Sequence, residues 1–325
     1  MSANRVLRTF LLVLACLWSG ALSAQQADTC LRRTLLVEVT DQKGNPVLDL
    51  KPDDFGAEVR GKRAHVIAAT PQAGIRRMVI LLDTSGSMRG EPSEFLTALR
   101  VAAGLVGLAP PQTRVALMTF SDKIEILGDF TATRQAMVDQ LRKMDQAATS
   151  HGRTRIRDAV VEALGMLGPT GPEDALFVIT DGGDNASHTD GTQLEKLIGG
   201  AGIRLFPLTV GEYPAFGTTY FDSPEAEGVR QLHRLQVLSG GLGAQFDSSL
   251  GKDSAEVADT VVAPLLAQAN DAYRLELELP EPLKKPSHWK LQVVNLPAGA
   301  KRPQLAYPDE LLPCPSAWAS NKKEK

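Results

Sequence analysis

The 325-residue chain predicts an α/β fold: a doubly wound, mostly parallel sheet inserted in a small β accessory domain. Three observations predict it. Apolar runs of strand length alternate with helical stretches from Arg77 to about Ala269, the pattern of strands joined by crossover helices. Those runs are continuously apolar, as strands covered on both faces are. On either side of this region lie segments with no helical period. Each is too small to bury a core alone, so the economical solution joins the two flanks into one β domain.

The elements follow in order. Thr34–Thr40 ends in period-two alternation, and Asp41-Gln42-Lys43-Gly44-Asn45-Pro46 is turn chemistry. Short β segments follow at Asp53-Asp54-Phe55 and Ala64-His65-Val66-Ile67. Buried strands are predicted at 78–82, 115–120, 176–180 and 203–209, with a hairpin strand at 123–127 and a short strand at 244–247. Helices are predicted near 93–107, 134–144, 155–167, 190–199, 227–239 and 254–268. Tyr273–Leu279 alternates strictly, Trp289–Val294 is a second strand, and Pro280, Pro282 and Pro286 break between them. The implied divisions are residues 1–24, 25–74, 75–269, 270–312 and a polar tail at 313–325.

The most informative segment is Asp83-Thr84-Ser85-Gly86-Ser87, directly after the apolar run Met78–Leu82. It leaves the C-terminal end of a strand, where open α/β sheets place their ligands. One carboxylate and two hydroxyls at alternate positions can aim their oxygens at a common point, and hard cations such as Mg²⁺ take oxygen ligands. Two later segments add to the set: Thr154, just before a helical pattern, and Asp181, after the buried run Leu176–Thr180.

With these residues in place the chain resembles a von Willebrand factor type A domain carrying a metal-ion-dependent adhesion site. The family pattern is D-x-S-x-S, then a separate Thr, then an Asp after a central strand. Asp83, Ser85, Ser87, Thr154 and Asp181 match it in order. The resemblance implies a Rossmann-like domain, a divalent cation (Mg²⁺, or Mn²⁺ or Ca²⁺) on those five residues, and a protein ligand whose acidic side chain completes the metal shell. A looser likeness covers nearly the whole chain. It is to secreted bacterial proteins in which a V-x-D-x-x-G-x-P-V segment and a DF pair precede the type A domain and a Y-x-L strand follows it. The matches here are Val39 to Val47, Asp54-Phe55 and Tyr273-Arg274-Leu275.

The N-terminus reads as a signal peptide: Arg5 and Arg8, the apolar run Phe10–Trp18, then Ala21-Leu22-Ser23-Ala24 with cleavage after Ala24. The run is too short for a permanent membrane span, so an exported, periplasmic or extracellular protein is expected. Lipidation at Cys16 is the minority reading, because the residues around it fit a lipidation box poorly. Cleavage would leave Cys30 and Cys314, which would pair in an oxidising compartment. A formal charge of −3 and an aromatic fraction of 5% do not suggest a nucleic-acid binder.

Other features have two readings. Arg153, Arg155 and Arg157 surround Thr154. They either pair with surface acids or help grip an acidic partner group. Asp184 and Asn185 are rim residues or turn formers, and no calcium loop of the EF-hand kind fits around them. The stretch 211–228, with Tyr213 and Phe216, is either a self-packed loop or part of the partner surface. Arg153, Arg155, Asp184, Tyr213 and Phe216 are the candidate partner-binding rim. No nucleophile elbow, phosphate-binding loop or clustered His/Cys set occurs. A binding module and no enzyme is therefore expected. The rivals are a structural envelope component with an unfilled site and a metal-dependent hydrolase. The hydrolase would need a general base or a second cation that no motif supplies here.

Overall fold

The computed structural model describes residues 30–90, 92–145, 152–211, 224–246, 253–296 and 301–313. Strands β4 (Arg77–Asp83), β5 (Arg114–Phe120), β6 (Ile124–Gly128), β7 (Asp174–Thr180), β8 (Arg204–Val210) and β9 (Ala244–Phe246) form one sheet in the order β6-β5-β4-β7-β8-β9. All pairs are parallel except the hairpin β5–β6. The helices are α1 (Gly86–Gly90), α2 (Pro92–Leu108), α3 (Arg134–Asp145), α4 (Ile156–Leu167), α5 (Gly191–Ala201) and α6 (Pro224–Ser239). A last helix runs through α7 (Ser254–Val257), a wide π turn at Ala258–Val262 and α8 (Ala263–Asn270).

Strand side chains alternate between the two faces. Met78, Ile80 and Leu82 pack under α2, α3 and the last helix, while Val79 and Leu81 pack under α4, α5 and α6. Both faces are thus covered, which is why the strands are continuously apolar. β4 and β7 are neighbours, but the chain leaves β4 toward β5 and leaves β7 toward β8. The crevice at their C-terminal ends is a topological switch point.

The flanks form the second sheet, with strands β1 (Arg32–Thr40), β2 (Phe55–Val59), β3 (Lys62–Ala73), β10 (Asp271–Glu278), β11 (Ser287–Val293), β12 (Gln304–Ala306) and β13 (Glu310–Leu311). Its order is β12-β1-β10-β3-β2-β11-β13, antiparallel throughout. N- and C-terminal strands interleave: the N-terminal β1 lies between β10 and β12, both from the C-terminal flank. Their inner faces share one core around Val37, Phe55, Tyr273, Leu275, Trp289 and Leu291. The chain enters and leaves the α/β region at one point, where the Gly74 amide donates to the Asn270 carbonyl (3.0 Å) and the Ile75 amide to Asn270 Oδ1 (2.8 Å). Among the described residues no helix is long and apolar enough to cross a membrane.

Several elements differ from the sequence reading. Residues 86–90 are a short helix rather than part of a loop, β3 is twelve residues long, and β12 and β13 were not anticipated. β3 owes its length to pairing with β10, which includes a bulge, and that partnership spans some two hundred residues.

Candidate metal centre

Asp83 is the last residue of β4 and is completely buried. Its Oδ1 accepts the Ser85 amide (2.8 Å), and its Oδ2 accepts the Thr180 hydroxyl at the end of β7 (2.6 Å). Thr180 Oγ1 in turn accepts the Gly182 amide (3.0 Å). One hydroxyl therefore sits between Asp83 and the turn that carries Asp181. Ser85 is buried, Ser87 on α1 is exposed, and their hydroxyl oxygens lie 3.1 Å apart. The Asp83–Ser87 loop is tied to β5 by the Thr84 amide on the Phe120 carbonyl (2.8 Å).

Thr154 stands just before α4 and is 2% exposed. Its segment is stitched to both neighbouring loops. The Gly86 amide donates to the Gly152 carbonyl (2.9 Å), and the Asn185 and Ala186 amides donate to the Thr154 carbonyl (3.1 and 3.0 Å). The structure thus brings the segments of Asp83, Ser85, Ser87, Thr154 and Asp181 together at the switch point.

Burial, and then the charge of Asp181, push the Asp83 carboxyl up to about 7, against the hydrogen bonds from Thr180 and Ser85. Among the described residues no Lys or Arg lies within ion-pairing distance of Asp83; the nearby arginines pair elsewhere. A buried carboxylate facing a like charge is costly, and a bound cation removes that cost. Two carboxylates and three hydroxyls are an all-oxygen donor set, so these residues fit a hard divalent cation.

The arginines surrounding Thr154 are held by acids. Arg155 contacts Asp158 at 2.6 Å, Arg157 contacts Asp184 at 3.2 Å, and the well-exposed Arg153 lies 3.6 Å from Asp122. Asp158 also accepts the His188 and Thr189 amides and the Thr189 hydroxyl. These bonds and Arg155 outweigh its burial and hold the carboxyl far below the usual range. Asp184 is a brace rather than an open rim residue. Its carboxylate takes the Arg157 amide (3.0 Å) and the Ser187 hydroxyl (2.8 Å), and its side chain is 5% exposed. Asp190 caps α5 through the Thr192 and Gln193 amides. Tyr213, Phe216 and His151 lie outside the described residues.

One other grouping, His288, Asp309 and Glu310, brings ligand atoms within 4.8 Å of one another. The Arg234 guanidinium already lies 3.1 Å from both carboxylates. That makes it an ion-pair cluster joining α6 to Asp309 and to Glu310 at the start of β13.

Sequence reasoning missed Thr180 and Gly228, and it read Asn185 only as a rim residue or turn former. A Thr before the strand-end Asp was a visible signal for the first; the others depend on contacts distant in sequence. Gly228 on α6 packs on the backbone of the Asp181 turn, and a Cβ there would collide with the Gly182 carbonyl. Gly228→Ala is expected to destabilise the chain by about 1–3 kcal/mol through overpacking. It should also weaken cation binding by displacing Asp181. Thermal melts with and without MgCl₂ check both effects.

Residues 78–183 match the family model of the von Willebrand factor type A domain, so this chain carries a domain of that family. No curated protein sequence matches the chain. Among solved structures it is similar to proximal thread matrix protein 1 of the mussel byssus, at 15% identity and TM-score 0.45, over 63% of this chain and 48% of that one. The present chain thus spans about half the length of that protein. It is also similar to a von Willebrand factor type A protein from Catenulispora acidiphila, at 12% identity and TM-score 0.46, over 86% and 72% of the two chains. A third is the conserved hypothetical protein BatB from Bacteroides thetaiotaomicron, at 21% identity and TM-score 0.43, over 59% and 98%.

Proposed function

We propose that this chain is an exported, metal-dependent protein-binding module that captures an acidic side chain of its partner through a Mg²⁺-type ion. The observation that carries the reading is the buried Asp83, set against Asp181 at a switch point, with hydroxyls around it and, among the described residues, no cationic side chain within ion-pairing distance of it. Asp83 would supply the main charge, Ser85, Ser87 and Thr154 neutral oxygens, and Asp181 a ligand direct or through water. Two carboxylates leave a divalent ion coordinatively unsatisfied, and an anionic partner group gains from that. The partner face would be built from loops 83–90, 151–155, 181–191 and 211–227. A crosslinking pull-down from the envelope fraction should recover a partner that is lost with chelator and with Thr154→Ala. A partner indifferent to both would remove the metal-bridged mechanism.

The proposal includes cleavage after Ala24, the division of the mature chain near residues 74 and 270, and a Cys30–Cys314 disulfide. One observation supports the bridge. The Arg33 guanidinium donates to both the Cys30 carbonyl (2.9 Å) and the Leu312 carbonyl (3.2 Å), holding the two ends of the β domain side by side. Closing so long a loop stabilises by about 5 kcal/mol at most in the chain-entropy model. Intact mass of the exported protein, alkylated without reduction, should show no alkylatable thiol. Two modified thiols would refute the bridge.

A further inference from the structure

We infer that Asn185, which lies outside the family's five-residue pattern, is the positioning residue that sets Thr154 in the metal centre. The inference rests on the metal reading above. Thr154 precedes α4, and α4 begins without a cap of its own: Arg155, at the N-cap position, offers no side-chain hydrogen bond to the first turn. A helix start with open amides leaves the residue ahead of it free to reorient. Here the loop after Asp181 supplies the missing groups from about thirty residues away. Asp184 Oδ2 accepts the Arg157 amide (3.0 Å), and Ser187 Oγ accepts the Asp158 amide (3.2 Å). Between those two caps in sequence, Asn185 grips Thr154 itself from both sides. Its Oδ1 accepts the Thr154 amide (2.9 Å), and its own amide donates to the Thr154 carbonyl (3.1 Å), with the Ala186 amide on the same oxygen (3.0 Å).

This double grip fixes the peptide units on both sides of Thr154, and so the direction of its side chain. Asp184 and Ser187 hold the helix, and Asn185 holds the ligand. Asn185 follows Asp181 by four residues, so one turn both carries a carboxylate and places the hydroxyl on the adjacent loop. Groups that orient a metal ligand from behind usually matter about 10–100-fold in affinity.

The experiment is titration of the full chain with MgCl₂ by calorimetry, for wild type, Asn185→Ala, Thr154→Ala, the double variant and Asn185→Asp. The last keeps an oxygen acceptor for the Thr154 amide. Asn185→Ala is expected to weaken binding about 10-fold. In the Thr154→Ala background it should cost less than about twofold, because its effect passes through that hydroxyl. Asn185→Asp should bind at least as well as wild type. An unchanged affinity in Asn185→Ala overturns the inference, and so does an equal loss in both backgrounds. Asn185→Asp decides the matter if the alanine variant does not fold: a folded aspartate variant that has lost binding overturns the inference. A wild-type chain that takes up no cation overturns the metal reading itself, a result distinct from any of these.

Discussion

Asp83→Asn is expected to abolish divalent-cation binding and, in metal-free buffer at pH 8, to raise the melting temperature by about 3 °C or more. The two effects have one cause. Asp83 is wholly buried with Asp181 as its charged neighbour, and its carboxyl is pushed from the ordinary 3.8 up to about 7. A carboxyl whose folded pKa is raised takes up a proton on folding. Its contribution to stability is therefore intact below 3.8, declines as pH rises through 3.8 to about 7, and is lowest above that window. Asparagine keeps an acceptor for the Ser85 amide and removes the charge, so its advantage is greatest at pH 8 and vanishes near pH 4. A shift of about 2–4 °C for each kcal/mol is usual for a domain of this size. Scanning calorimetry in chelator at both pH values measures the difference. An equal difference at pH 4 and pH 8 would detach it from the ionisation of Asp83.

The second large effect lies between the two sheets. Glu38 on β1 and Arg204 on β8 form an ion pair at 2.7 Å, with side chains 2% and 3% exposed. Arg204 also donates to the Ala269 carbonyl (2.6 Å) at the end of the last helix. Burial raises Glu38 to about 7 despite the pull of Arg204, so desolvation outweighs the attraction. Among the described residues, Glu38 Oε2 and Arg204 Nε have no hydrogen-bond partner. Removing one member leaves a buried charge alone, which costs about 3–5 kcal/mol. Arg204→Met is thus expected to lose that much in urea denaturation. Adding Glu38→Met should restore most of it, since a buried pair replaced by apolar groups is often neutral or stabilising. A double variant as unstable as Arg204→Met alone would show that the lost Ala269 bond, rather than the stranded charge, sets the cost.

The α/β region was legible because each of its signals is local. A run such as Leu176–Thr180 declares a buried strand by composition, and a stretch such as 156–167 declares a helix by period. The five proposed ligand positions were chosen from the same local signals: Asp83, Ser85 and Ser87 follow one apolar strand, Asp181 follows another, and Thr154 precedes a helical stretch. What sequence could not convey was partnership at a distance. Nothing near Arg157 says that Asp184 caps its amide, so Asp184 read as a rim residue. Nothing near Gly228 says that Gly182 lies against it. Gln304–Ala306 and Glu310–Leu311 are strands only because β1 and β11 offer free edges. The arginines surrounding Thr154 could be read either as a partner grip or as surface pairs, and Asp122, Asp158 and Asp184 take them up.

The most direct measurement of the central claim is an anomalous difference map from crystals of the chain soaked in Mn²⁺. The account predicts a strong peak at the C-terminal ends of β4 and β7, within ligand distance of the side-chain oxygens of Asp83, Ser85 and Ser87, and lost in Asp83→Asn. A map with no peak there, or with its only peak at His288, Asp309 and Glu310, would contradict it.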